Sequence, residues 1–180
     1  MMYRTYKRTF LLTCSAALLA GSVSANAQIK PYIAAEVGMA YWDVNFLDDD
    51  IGLSYAVGLG LRFGSNVALE AGYQNFGTMN FISGDTEGEL EAESASLTAR
   101  FELPIGDKVK PYVFAGVETM EYTEQNDGDE DIYDRNEDAD ATFGLGLSIA
   151  QDEQSAIRIT LASHGEGDII RLSAGGTLDF

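Results

Sequence analysis

Three residue types that can support hydrolysis stand together near the end of the chain. Ser163, His164 and Glu166 could supply a nucleophile, its base and an acid. Such catalysis needs the hydroxyl and the imidazole within hydrogen-bonding reach of one another. Neighbouring residues of a β-strand point to opposite sides, so Ser163 and His164 would face apart. The spacing therefore argues against an esterase, and no catalytic residue is predicted.

A metal site is the second chemistry that the residue types suggest. Asp127, Asp129 and Asp131 have the spacing that opens a calcium-binding loop, but Ile132 stands where that loop requires glycine. An EF-hand is therefore not predicted, and the three aspartates are weak candidates only. The surrounding residues 123–140 include nine acidic side chains, which favours a solvated segment of mutually repelling charges. Loose binding of divalent cations that bridge such segments to anionic lipid is the alternative.

The first residues have the features of a targeting segment. Three basic residues within the first eight precede an apolar run over residues 10–20, and small residues follow. We interpret residues 1–27 as a secretory signal peptide, because the apolar run is too short for a membrane-spanning helix. Residues 28–180 then form one domain. Cys14 lies in the signal and His164 is the only histidine, so ligands for zinc or haem are lacking and no cofactor is predicted.

The remaining chain is strongly acidic. Residues 28–180 keep 8 of the 11 basic residues and all 29 acidic ones, so their formal charge is 8 − 29 = −21. This charge would repel phosphates, and binding to nucleic acid is not predicted. A helical membrane protein is also excluded, because no stretch approaches the roughly 20 consecutive apolar residues of a spanning helix. A membrane barrel remains compatible, since its strands are apolar on one side only.

Eight segments alternate between apolar and polar or small residues with the period of a β-strand. They are residues 31–42, 53–63, 67–77, 94–103, 111–122, 141–149, 157–162 and 170–180. Connections after the second, fourth and sixth segments are short, whereas the connections at the other end hold 20 of the 29 acidic residues. This layout predicts an all-β fold, an eight-stranded antiparallel up-and-down transmembrane β-barrel with long acidic loops outside and both termini in the periplasm.

The two sides of these strands differ in a way that predicts which one faces inward. One side is apolar, with aromatic residues near both ends; the other is dominated by Gly, Ala and Ser with interspersed charges. In a narrow barrel, long charged side chains can lie across the space that small residues leave and neutralise one another. Tyr112 and Phe114 on this side are expected to fill space opposite glycines. We predict a plugged interior with this polar network: Glu36, Arg62, Glu70, Arg100, Glu118, Arg158 and Arg171.

Several segments resemble the small outer-membrane barrels of the OmpA/OmpX type. The residues that carry the likeness are the stretches 35–41, 68–77 and 110–116 and the strand that ends at Phe180. The resemblance implies a monomer in the lipid and lipopolysaccharide of a Gram-negative outer membrane. It also implies insertion by the outer-membrane assembly machinery, which would read the last strand through Ile170, Leu172, Leu178 and Phe180.

The predicted function is a non-enzymatic scaffold whose acidic surface loops serve envelope integrity, adhesion or another surface interaction. A small, low-conductance porin-like channel is the first alternative and requires the interior network to open. A barrel enzyme that modifies lipid A is a weaker alternative. A soluble ligand-binding barrel in the periplasm is the structural alternative, and it would bury the apolar side of each strand instead of exposing it.

Overall fold

A computed structural model describes residues 29–42, 50–83, 86–103, 105–106, 108–126, 129–135 and 139–180. Its strands are β1 (Ile29–Trp42), β2 (Asp50–Phe63), β3 (Val67–Ser83), β4 (Thr86–Glu102), β5 (Val109–Asn126), β6 (Asp129–Arg135), β7 (Asp140–Ala150), β8 (Ser155–His164) and β9 (Ile169–Asp179). A short 3₁₀ helix, Gly165–Gly167, joins β8 to β9. Within the described ranges, no helix is long and apolar enough to cross a bilayer. The predicted signal peptide lies outside the described residues.

The strands close into a barrel in which every neighbouring pair is antiparallel. The order around the sheet is β4-β3-β2-β1-β9-β8-β7-β5, and pairing of β4 with β5 closes it. β6 and β7 both pair with β5, β6 along residues 121–126 and β7 along residues 109–118. They therefore share one position in the wall, and the barrel has eight positions. The predicted all-β, eight-stranded antiparallel fold is confirmed.

Side chains alternate across the wall as the sequence pattern predicts. In β2, Leu53 and Leu59 are 77% and 68% exposed, whereas Ser54 between them is 1% exposed. The same alternation of exposed and buried residues runs along β1, β8 and β9. Apolar residues thus cover the outside, which a water-soluble barrel would avoid because large exposed apolar surfaces promote association. The predicted orientation, with the small and charged side inward, is confirmed.

Three strands run well beyond the length that a bilayer requires. β3, β4 and β5 have 17, 17 and 18 residues, while a tilted spanning strand needs about 9–11. The prediction that residues 78–93 and 123–140 are loops was therefore wrong over most of their length. Glutamate alternates with small or apolar residues from Glu87 to Glu93, and this strand period was hidden by the density of charge. The excess residues form an acidic sheet that projects from one end of the barrel.

The two ends of the barrel differ, and we name them by their connections. The turn end carries the connections that follow β2, β4 and β7, and the loop end carries the projecting strands. At the turn end, the Asp152 carboxylate accepts hydrogen bonds from the backbone N–H groups of Gln154 at 2.9 Å and Ser155 at 2.7 Å. The Ser155 hydroxyl and these two N–H groups hold the pKa of Asp152 below its ordinary value.

A β-bulge in β3 changes which residues face inward near the loop end. The register between β3 and β4 shifts between Asn75 and Thr78, so β3 contains one extra residue there. Gly77 has a φ of 82°, and its N–H donates to the Asn75 side chain at 2.8 Å. A Cβ at this glycine would also lie 2.5 Å from the Leu53 carbonyl oxygen. The bulge allows both Phe76 and Met79 to point into the barrel, where each is almost fully buried.

Candidate functional site

The middle of the lumen is crossed by ion pairs that join four strands. Arg158 of β8 donates from Nε to Glu36 Oε1 of β1 at 2.8 Å and from Nη1 to Glu70 Oε2 of β3 at 2.7 Å. Glu36 also accepts from the Ser173 hydroxyl at 2.7 Å and pairs with Arg171 Nη1 of β9 at 3.4 Å. Each of these charged groups therefore has an opposite charge within the lumen, which burial requires.

A second group of charges lies at the turn end. Arg62 Nη1 is 2.6 Å from Glu102 Oε1, and Arg62 Nε is 3.2 Å from Asp179 Oδ2. Lys110 Nζ is 3.8 Å from the other Glu102 oxygen. The sequence analysis did not place Asp179 in the network, although it stands on the polar side of the last strand. The ion pair between Arg62 and Asp179 connects the end of β9 to β2 across the intervening β1.

Two tyrosine rings separate these groups and hold Arg100 between them. The Arg100 guanidinium carbon lies 5.4 Å from the Tyr32 ring centroid and 5.3 Å from that of Tyr112, distances typical of cation–π contacts. Arg100 is also 3.8 Å from Glu70 Oε2 and 3.6 Å from Glu102 Oε1, so it links the central and turn-end charges.

The aromatic side chains of the lumen occupy space that glycines leave. A Cβ on Gly60 would overlap the Tyr32 ring, and a Cβ on Gly146 or Gly144 would fall against the rings of Tyr112 and Phe114 respectively. The expectation that Tyr112 and Phe114 fill space opposite glycines is thus confirmed. Tyr32 has the same role but was not singled out, although it too stands on the polar side of its strand.

Glu118 does not join the arginines with which the sequence analysis grouped it. Its Oε2 accepts from His164 Nδ1 at 2.8 Å and from the Ser94 hydroxyl at 3.3 Å, and its Oε1 accepts from the Gly165 N–H at 3.0 Å. Among the described residues, its hydrogen-bonding partners are therefore a histidine, a serine and a backbone N–H group, and not an arginine. Thr142 Oγ1 lies 3.2 Å from the same His164 nitrogen. The other six predicted residues are connected with one another through ion pairs or shared partners.

An apolar cluster, which we call the loop-end cap, lies inside the barrel toward the loop end, beyond this polar interior. Each member is at most 1% exposed, and together they come from β1, β3, β4, β5 and β9. Its members are Ala40, Trp42, Phe76, Met79, Ala92, Met120 and Ile169. The sequence analysis missed the cap. Alternation already placed Trp42 and Met120 on the inner side at strand ends, but Met79 faces inward only because of the bulge.

Two cavities lie along the polar part of the lumen. The central one, of about 60 Å³, is lined by residues that include Glu36, Glu70, Arg100 and Arg158. The turn-end one, of about 160 Å³, is lined by residues that include Arg62. The polar lumen therefore contains open space on either side of its ion pairs.

The structure adds no support for a metal site at Asp127, Asp129 and Asp131. Asp127 lies outside the described residues, and Asp129 and Asp131 lie on β6, where only the backbone is described. Among the side chains that are described, no group of three or more acidic, histidine or cysteine residues could hold a metal ion.

Ser163 and His164, two of the residues considered for hydrolysis, lie on opposite sides of the wall. Ser163 is opposite Phe143, which is 54% exposed on the outer face, whereas His164 is 1% exposed and its ring packs edge-on against Phe76 at 4.8 Å. The predicted separation of Ser163 from His164 thus agrees with the structure.

The last strand has the placement that the sequence analysis gave it. Ile170, Leu172, Leu178 and Phe180 are 45%, 50%, 42% and 66% exposed on the outer face. The Phe180 N–H donates to the Pro31 carbonyl at 2.9 Å, so pairing between the first and last strands extends to the final residue.

A closed antiparallel barrel that is apolar outside and charged inside is the architecture of a membrane-spanning β-barrel. The family described as outer membrane protein beta-barrel domain matches residues 11–175 of this chain. The chain therefore belongs to this family, which associates it with bacterial outer-membrane barrels.

Solved structures with the same fold are distant in sequence. Neisserial surface protein A is 18% identical with a TM-score of 0.63, covering 83% of this chain and 97% of that one. The N-terminal barrel of Pseudomonas aeruginosa OprF is 20% identical with a TM-score of 0.56, covering 85% and 100%. Ail, the attachment invasion locus protein of Yersinia pestis, is 12% identical with a TM-score of 0.53, covering 86% and 99%. No curated protein matches the sequence.

Proposed function

We propose that this protein is a non-enzymatic scaffold of the outer membrane whose interior is plugged by the arginine and glutamate network. The observation that carries the proposal is the position of Arg158, which joins carboxylates of β1 and β3 from β8. An eight-stranded barrel is only wide enough for its interior to be filled by side chains. Ion pairs that cross so narrow a lumen leave no continuous path for hydrated ions.

The acidic strands at the loop end supply the surface at which the scaffold acts. β3, β4 and β5 each exceed the length of a spanning strand by about six residues, or roughly 20 Å at 3.3 Å per residue. In this proposal the projecting sheet faces the cell exterior and both termini lie in the periplasm. Adhesion, envelope integrity or another surface interaction is the role we assign to it, and divalent cations would bridge its carboxylates to lipopolysaccharide.

Assembly follows from the last strand. The exposed side chains of Ile170, Leu172, Leu178 and Phe180 form one apolar face that the outer-membrane assembly machinery would read. The barrel closes on itself through pairing of β9 with β1, which favours a monomer in the lipid and lipopolysaccharide of the membrane.

The geometry argues against hydrolysis. Glu118 and His164 form an acid–base pair, but both are buried beneath the loop-end cap and away from the lipid-facing surface. Ser94 donates its hydroxyl to Glu118, which is the acid of the pair, whereas a nucleophile would donate to the histidine base.

A small channel is the second candidate, and the cavities favour it. The polar spaces of about 60 and 160 Å³ would need only a rearrangement of the intervening ion pairs to connect with each other.

Planar-bilayer recording of the refolded protein tests the two candidates. Folding is verified first by heat-modifiable migration on a gel, which is typical of stable barrels. A scaffold gives no steady conductance above the bare bilayer. Steady openings from the native chain would contradict the plugged scaffold and favour the channel.

A further inference from the structure

The loop-end cap differs from the network beneath it in its physical nature. Its side chains come from five strands around the wall and meet at the centre, and each is at most 1% exposed. Apolar constrictions stop ions because water does not enter them, so an ion would have to lose its hydration to pass. A closure of this kind needs no charged residue.

The network is bordered by space that water can enter. A water needs a cavity of at least about 10–15 Å³, so the central cavity of about 60 Å³ is large enough to hold water. Its lining includes Glu36, Glu70, Arg100 and Arg158, which supply partners for such waters. The turn-end cavity of about 160 Å³ is larger still. The polar lumen is thus suited to hydration from the turn end up to the level of the cap.

Glu118 is placed to hold the cap. Its carboxylate accepts hydrogen bonds from His164 Nδ1 and the Gly165 N–H, at the connection between β8 and β9. The His164 ring then packs edge-on against Phe76 of the cap at 4.8 Å. Gly165 has a φ of 59°, and a Cβ there would lie 2.9 Å from the Met120 sulfur. Glu118 therefore connects β5 to the loop-end connection and, through His164, to the cap.

We propose that the loop-end cap is a second seal, in series with the arginine and glutamate network, and that Glu118 is a positioning residue that keeps it closed. The lumen is then a blind, polar well that opens toward the turn end and is closed by a dry barrier at the loop end. This inference rests on the proposed function, because it assumes that the native barrel does not conduct. It adds that opening the network alone produces no pore.

The test is planar-bilayer conductance of the refolded native barrel and of five variants. Arg158→Gln weakens the network, Phe76→Ala opens the cap, and the two changes are also combined in one chain. The fourth protein combines Arg158→Gln with Phe143→Ala, a matched loss of the same side chain from the outer face. Both single variants and this control are expected to stay silent. For the combined network and cap variant, we expect a steady conductance at least tenfold above the background that these proteins show.

The fifth protein tests the positioning role. Glu118→Gln combined with Arg158→Gln keeps every cap side chain but weakens the hold on His164 and Gly165. We expect it to open intermittently, with a conductance level similar to that of the Phe76→Ala combination but a lower open probability. A merely structural role would change thermal stability without producing openings. Silence in this protein, when it is folded, would refute the role of Glu118.

The outcomes separate the two proposals. Conductance from the native chain would refute the proposed function. A silent native chain with a fully open Arg158→Gln variant would leave the plugged scaffold intact and refute the second seal. A folded but silent network and cap combination would refute it as well. Folding is checked by heat-modifiable migration, and Met79→Ser replaces Phe76→Ala if that variant does not fold.

Discussion

Replacing Arg158 with methionine tests how strongly the central ion pairs stabilise the barrel. The change keeps a long side chain but removes the charge that Glu36 and Glu70 share. Breaking a buried pair by removing one partner costs about 3–5 kcal/mol, because a charge is left uncompensated. Glu36 retains Arg171 at 3.4 Å, and Glu70 retains the Tyr32 hydroxyl at 2.8 Å. We therefore expect the lower end of the range, a loss of about 3 kcal/mol.

The measurement is reversible unfolding by urea in lipid vesicles, followed by tryptophan fluorescence. Lys108→Met is the matched control, since it removes an exposed charge at the turn end and should change the free energy of unfolding by less than about 0.5 kcal/mol. The double variant Arg158→Met with Glu36→Gln should recover part of the loss, because it also removes one of the two carboxylates that the arginine had neutralised. A loss below about 1 kcal/mol for Arg158→Met alone would refute the claim that these pairs are buried and coupled.

Two further substitutions, each with a matched control, test the packing and the orientation of the wall. Gly60→Ala should cost about 1–3 kcal/mol, because the new Cβ would overlap the Tyr32 ring, whereas Gly176→Ala should be nearly neutral, since the nearest heavy atom to its Cβ is 3.6 Å away; equal free energies of unfolding for the two variants would contradict this. Leu59→Arg should cost about 2–4 kcal/mol as a charge near the bilayer midplane, whereas Ile105→Arg in a turn-end connection should cost about 0–1 kcal/mol. A tolerated arginine at residue 59 in vesicles would place that face away from hydrocarbon.

The sequence determined the barrel wall well because its signal is local. In Leu53–Phe63, apolar and polar or small residues alternate regularly. The residues of each strand alone show which of its sides is apolar, and the pattern predicts eight strands. Interior positions such as Glu36 and Arg158 follow from the same alternation. Their pairing does not, because it depends on how far neighbouring strands are staggered around the barrel. For this reason Glu118 was grouped with arginines, although its register brings it to His164.

Other features were missed because they break the alternation or hide it. The bulge at Gly77 adds one residue to β3, so counting by twos puts Met79 on the wrong side of the wall. The sequence analysis predicts loops beyond this point because the density of charge hides the period-two pattern of these strands. The loop-end cap depends on both features, since its side chains come from strands that meet only in the closed barrel.

The central claim is that the apolar side of every strand contacts the hydrocarbon of the bilayer, whereas the charged side chains face the lumen and contact one another across it. Cys14 is the only cysteine and lies in the predicted signal peptide, so single cysteines can be placed in the barrel without competing thiols. The most direct test is the accessibility of spin labels at Leu59→Cys and Leu145→Cys in vesicles to oxygen, which partitions into lipid, and to a water-soluble nickel chelate. Strong relaxation by oxygen and weak relaxation by nickel is the predicted result; the reverse at both positions would contradict the orientation of the barrel.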